Sequence, residues 1–145
     1  MTTLASNSAA APPHAGTTSR PRRRLGWVIT ALIAAFLAFD VVIHLLNLEV
    51  AREGSVRLGY DPSLTVLFGV LELIGLVLYL YRRTSVLGAV YLTAYLGGAF
   101  ASQLRVDAPL FSTLLFPVYT GLLLWLGLWL RDADLRVLTP VRRAG

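Results

Sequence analysis

The sequence predicts an all-α membrane protein: an antiparallel four-transmembrane-helix bundle with both termini on the cytoplasmic side. Three observations predict it. Hydrophobic residues make up 56% of the chain and charged ones only 14%, where a soluble domain carries about 25% charged residues; the mean hydropathy of +0.66 agrees. Four apolar runs, at residues 26–48, 64–81, 85–104 and 110–130, approach or reach the ~20 residues that a span needs. The arginines, finally, flank these runs unevenly.

The first run follows a tail of Ala, Ser, Thr and Pro that ends in Arg20-Pro21-Arg22-Arg23-Arg24. With no apolar periodicity, residues 1–24 are expected to be a disordered basic tail. The run itself is too long for the h-region of a signal peptide, about 7–15 residues, and reads as a retained helix. The second run is the shortest and gains length from Pro62-Ser63; Asp61-Pro62 reads as an N-cap followed by proline at the first helical position. Arg82-Arg83-Thr84-Ser85 is a tight turn, with Thr84 or Ser85 as the next cap. Arg105-Val106-Asp107-Ala108-Pro109 is another, with Asp107 available as a cap. Only residues 49–60, interrupted by Gly54 and Gly59, form a long connection. The bundle domain is expected over residues 25–138, followed by a cytoplasmic tail at 139–145.

Orientation follows from arginine counts. The N-terminal tail, the Arg82-Arg83 turn and the C-terminal tail together hold ten arginines, and the opposite side holds three, Arg52, Arg57 and Arg105. The positive-inside rule places the larger group in the cytoplasm. All 13 basic residues are arginine. With abundant Ala, Gly and Leu, this reads as a GC-rich bacterial coding sequence, so the expected location is a bacterial plasma membrane. The same arginines flank apolar segments and form no stripe on a soluble face, which excludes a nucleic-acid partner.

Small residues recur at helical spacing: Ala94, Gly98 and Ser102 on the third run, Ala34 and Ala38 on the first. They are expected to let helices approach closely. Trp125, Trp129, Tyr79 and Tyr81 are expected in an interfacial belt.

The chemistry concentrates in the first two runs. Asp40, His44 and Asn47 share one helical face, and Glu72 lies between Gly69 and Gly75 in the second run. Ionisable groups at such positions are functional-site hypotheses by default. At a rise of 1.5 Å per residue, both acids lie about 12 Å below the outer surface. Two carboxylates at one depth in low dielectric do not both ionise cheaply. One is expected to carry a proton unless Arg105 or a protonated His44 reaches them. Tyr95, Gln103, Ser102, Thr113 and Tyr119 add polarity to the same outer half, and Pro117 breaks the ladder of the fourth helix. The expected ligand-binding or proton-relay residues are Asp40, His44, Glu72, Tyr95, Gln103 and Arg105. Interhelical glue, worth about 0.6 kcal/mol per bond, is the competing reading, chiefly for Asn47, Ser102 and Thr113.

Several classes drop out. The chain has no cysteine, which excludes disulfides, thiol catalysis and cysteine-ligated clusters. One histidine in the spans cannot supply two axial haem ligands, no metal-binding set is legible, and no spacing supports a catalytic triad or a phosphate loop.

Leu58-Gly59-Tyr60-Asp61-Pro62 leading into Gly69-Val70-Leu71-Glu72-Leu73 resembles the DoxX-like family of small four-helix bacterial membrane proteins. So do Tyr95-Leu96-Gly97-Gly98-Ala99 with Leu104-Arg105-Val106, and Asp40 followed four residues later by a basic group, His44. The resemblance covers residues 25–138. It implies a redox association, since the family's namesake is a membrane subunit of a quinone-reducing thiosulfate oxidation system. The chain departs from relatives in carrying Gln103 where they hold histidine, which weakens a histidine-based redox site.

The resulting expectation is an accessory or redox-associated subunit, not an enzyme on its own. It has no intrinsic cofactor and binds a quinone or similar lipid-soluble head group in an outer-half pocket. Its expected partners are the lipid bilayer, a membrane or redox protein and further copies of itself. A proton-coupled transporter or channel, and a purely structural membrane partner, are the alternatives.

Overall fold

A computed structural model of the chain describes residues 20–138; residues 1–19 of the tail expected over 1–24, and the tail expected from residue 139, lie outside the described residues. Six α-helices follow in order: α1 (Arg20–Leu45), α2 (Glu49–Arg57), α3 (Thr65–Leu80), α4 (Ser85–Arg105), α5 (Phe116–Arg131) and α6 (Ala133–Leu138). A 3₁₀ turn, Pro62–Leu64, leads into α3, and a wider π turn, Leu110–Leu114, precedes α5. With those turns included, four helices are long and apolar enough to cross a membrane: Arg20–Leu45, Pro62–Leu80, Ser85–Arg105 and Leu110–Arg131.

The helix ends follow local chemistry. α1 starts at Arg20, so the arginine cluster expected in the tail winds onto the helix. Two residues past its end at Leu45, Asn47 adopts φ 52°. The Leu48 N–H then reaches back to the Ile43 carbonyl at 3.0 Å and the Asn47 N–H to that of His44 at 3.0 Å, satisfying carbonyls that a helix end leaves bare. Asn47 is thus an exposed cap, and it leaves the polar face it was expected to share with Asp40 and His44. Asp107 does the same for α4 with φ 51°, so it closes that helix instead of opening the next. Asp61 caps as expected, its Oδ1 accepting from the Ser63 N–H at 2.8 Å. Bonds from Ser63, hydroxyl foremost, hold this carboxyl below the usual range. Thr84 stands at the N-cap of α4 as expected, its carbonyl accepting from the Gly88 N–H, but its hydroxyl caps no α4 N–H and donates to the Leu78 carbonyl at 2.8 Å at the end of α3.

The connection at 49–60, expected as loop, contains α2. Ala51 and Ser55 are buried one turn apart, with Leu58 half-buried on the same face. Gly54 and the four charges Glu49, Arg52, Glu53 and Arg57 break the apolar pattern and hide that short period in the sequence.

The four long helices close into a ring in which α1 and α4 each pack on both α3 and α5. Near the chain termini the ring is solid. Ile33, Leu37, Leu76, Tyr79, Ala89, Leu92, Leu124 and Leu128 form one buried cluster. Tyr79, expected at the interface, is fully buried. Its hydroxyl donates to the Leu124 carbonyl at 2.9 Å, and the Arg131 guanidinium stacks on its ring, 5.0 Å from the centroid. A tyrosine whose hydroxyl finds a helix carbonyl does not need the headgroup region. Glycine enables this packing: a Cβ on Gly88 would stand 2.2 Å from the Tyr79 nitrogen, and one on Gly26 2.7 Å from that of Arg131. The outer faces are apolar and bare, with Leu32, Phe39 and Leu122 each about two-thirds exposed, as contact with lipid requires.

Gly88→Ala is expected to cost about 1–3 kcal/mol through overpacking and to lower the thermal unfolding midpoint in detergent. Gly97→Ala, where nothing lies within 4 Å of the added carbon, is expected to leave the midpoint unchanged or raise it.

Candidate functional site

Away from the termini, towards α2, the ring does not close. A cavity of about 630 Å³ lies between the helices, within the size range of small-molecule sites. Its lining is mostly apolar. The small residues Ala94, Gly98 and Ser102 of α4 lie along it, and a Cβ on Gly98 would meet nothing within 4 Å. The ridge expected to pack helices tightly therefore makes room instead. On α3 the glycines that flank Glu72 do bring neighbours close. A Cβ on Gly69 would lie 2.8 Å from that of His44 in α1, and one on Gly75 would lie 2.6 Å from the Leu92 side chain in α4.

Those two approaches set Glu72 between α1 and α4. Its side chain is 1% exposed, with Asp40 and Tyr95 as polar neighbours. Oε2 has no hydrogen-bond partner, alone among the buried side-chain polar atoms of the described residues. The other buried hydroxyls show how such atoms are normally satisfied in an apolar helix. Ser55, Ser102 and Thr120 each donate to the carbonyl four residues back, at 2.8–3.0 Å.

On α1, the His44 Nδ1–H donates to the Asp40 backbone carbonyl at 2.9 Å and lies 3.4 Å from Asp40 Oδ2. The bond assigns the proton of the neutral ring to Nδ1 and leaves the lone pair on Nε2. Asp40, His44 and Glu72 each offer one ligand atom within 4.8 Å of the others. The spacing of Asp40 and His44 was legible in the sequence. Their meeting with Glu72, on another helix, needed the packing at Gly69.

Tyr95 and Gln103 also line the cavity, as does Thr113. Arg105 does not. Its guanidinium donates to the Leu58 carbonyl and stands over the Tyr60 ring at 5.7 Å, fastening the connection after α2 to the end of α4. No Arg or Lys lines the cavity, so its carboxyls meet no fixed cation there. Tyr119 is 43% exposed and stands outside the lining. Pro117 is buried at the start of α5 and lines the cavity just beyond the π turn.

Sequence reasoning missed Tyr60 and the buried face of α2. The Tyr60 hydroxyl and Ser102 Oγ are 2.6 Å apart; since Ser102 donates onward to the Gly98 carbonyl, Tyr60 is the donor. Val50, Ala51, Gly54 and Ser55 line the cavity from α2. The recurrence of Ala51, Ser55 and Leu58 was the available signal.

Replacing Glu72 with leucine removes an unpartnered buried polar atom, whose burial costs about 1–3 kcal/mol. Glu72→Leu is therefore expected to raise the unfolding midpoint in detergent, the pattern of a position kept for function at the expense of stability. A lowered midpoint would show that the carboxyl holds the helices together.

The profile of the DoxX-like family matches residues 28–127, a span that contains Asp40, His44, Glu72, Tyr95 and Gln103. No curated protein and no solved structure matches the chain. With a family profile over most of its length and four membrane-length helices, the chain belongs to the DoxX-like family.

Proposed function

We propose that this protein is an accessory, redox-associated subunit of a bacterial plasma membrane that binds a lipid-soluble molecule with a polar head, of the quinone class, in the cavity between α1, α3 and α4. The observation that carries the reading is the Glu72 carboxyl, whose Oε2 has no partner, beside Asp40 and His44 in a mostly apolar cavity. A quinone's carbonyl and hydroxyl oxygens suit such a place. Glu72 in its acid form and Tyr95 donate hydrogen bonds, while Asp40 and His44 accept or pass a proton. Gln103 supplies an amide further along the lining, and the apolar walls take the ligand's tail. Arg105 acts at one remove, by holding the connection that follows α2.

The contact register supports an antiparallel bundle. Gly26 meets residues 127–131 while Phe36 meets Phe116, and Gly69 meets His44 while Tyr79 meets Thr30. Arginine asymmetry supports placing both termini in the cytoplasm, which sets α2 and the mouth of the cavity at the outer surface. Since the chain has no cysteine, single Gly54→Cys and Arg83→Cys variants test this in intact cells. A membrane-impermeant maleimide is expected to label the first and spare the second.

Native mass spectrometry of the protein released from mild detergent tests the ligand. The expected result is a bound isoprenoid quinone or lipid of related polarity, lost in the Asp40→Asn, Glu72→Gln double variant. Protein without an adduct, or an adduct indifferent to both substitutions, would overturn the reading.

A further inference from the structure

We infer that Asp40, His44 and Glu72 form a binding site for a divalent first-row transition ion of zinc's class, with one coordination position open to the cavity. The inference concerns the site proposed above for a lipid-soluble ligand and rests on the same reading of the cavity.

Geometry brings the three donors together. One atom from each lies within 4.8 Å of the others. Ligands about 2.0–2.2 Å from a metal sit at most about 4.4 Å apart, so modest side-chain rotation closes the set. The imidazole already holds the tautomer of a ligand, with Nδ1 3.4 Å from Asp40 Oδ2. A metal-bound histidine typically donates its other ring N–H to a carbonyl or carboxylate, and here Nδ1–H donates to the Asp40 carbonyl at 2.9 Å, leaving the Nε2 lone pair as the donor. Gly69 is the positioning residue, since a Cβ there would stand 2.8 Å from the His44 Cβ and push α1 from α3.

A second observation is independent of the clustering. Glu72 is 1% exposed, it lines the cavity, and no protein group bonds its Oε2. An acceptor oxygen held in that state is matched by a bound cation.

Charge selects the ion. Once the metal displaces the Glu72 proton, as ligand binding requires, two carboxylates and a neutral imidazole carry two negative charges, and the cavity lining holds no Arg or Lys. A divalent cation brings the sum to zero, the state a low-dielectric site favours. The mixed nitrogen and oxygen donors then favour zinc-like ions over magnesium, which prefers oxygen ligands alone. With three protein ligands, the fourth position remains for an oxygen of the cavity's ligand.

The test uses the full chain in mild detergent, freed of any affinity tag, stripped with chelator and titrated with ZnCl₂ or MgCl₂. Metal per chain is read by mass spectrometry of the desalted protein, and monodispersity is checked for every variant. The expected result is one zinc per chain and no retained magnesium. Single His44→Ala and Glu72→Gln variants should weaken zinc binding by at least about tenfold, by analogy with the losses seen even for residues behind a metal's ligands. Gly69→Ala should weaken it in a chain whose ligands are all present. Triple substitution of His14, Glu49 and Glu53, the other imidazole and the acids of α2, should leave it intact. No zinc on the wild-type chain, or zinc lost only in the triple variant, would overturn the inference. Native spectra of the stripped and zinc-loaded forms separate this from the ligand reading. A lipophilic adduct without zinc binding refutes the metal site alone, and zinc binding without an adduct refutes the ligand reading alone.

Discussion

A polar atom inside a lipid-embedded helix has no water to turn to, and this constraint shapes nearly every side-chain bond in the bundle. Serine and threonine answer it within their own helix by donating to the carbonyl one turn back, as Ser102 and Thr120 do. Tyr79 answers it across the bundle, with its hydroxyl on Leu124. A carboxyl cannot use these routes when ionised, because helix carbonyls are acceptors and so is it. Glu72 therefore depends on what comes to it from other helices, and the polar layer is organised around that dependence.

Small residues play two opposite parts. Towards the termini, glycines are spent on closeness: Gly88 lets α4 lie against the α3 backbone at Tyr79, and Gly26 and Gly127 do the same between α1 and α5. Towards α2, Gly98 faces open space, and Ala94 and Ser102 line the cavity beside it. The tight end provides a rigid base, and the open end a cavity whose walls are fixed by that base. Rigid supporting elements of this kind let a few polar groups hold a defined geometry.

The cavity's α2 side is held by contacts in which Arg105 is the one expected site residue that takes part. Thr65 bonds Ser55 at 3.2 Å and the Pro62 carbonyl at 2.8 Å, tying α2 to the start of α3. Arg105 and Tyr60 tie the following connection to α4. α2 buries two small residues and leaves Val50 and Val56 exposed. It covers the cavity from one side, held by hydrogen bonds where the four spans are held by interlocked side chains.

Much of this was legible in the residues themselves. Apolar runs of spanning length predict four long helices because a helix satisfies its own backbone in lipid, whatever packs beside it. Asp40 and His44 share a face by spacing alone, and Asp61-Pro62 starts a helix by local bonds. Tertiary structure decided what depends on neighbours. It set Glu72 against Asp40 and His44, which needed Gly69 to admit α1. It kept Arg105 outside the cavity, because the Leu58 carbonyl lies within its reach, and it buried Tyr79, which composition placed at an interface. It turned Asn47 and Asp107 into helix-ending caps. And it gave Gly88 and Gly98 opposite roles, since a missing side chain is equally consistent with contact and with empty space until the facing helix is in place.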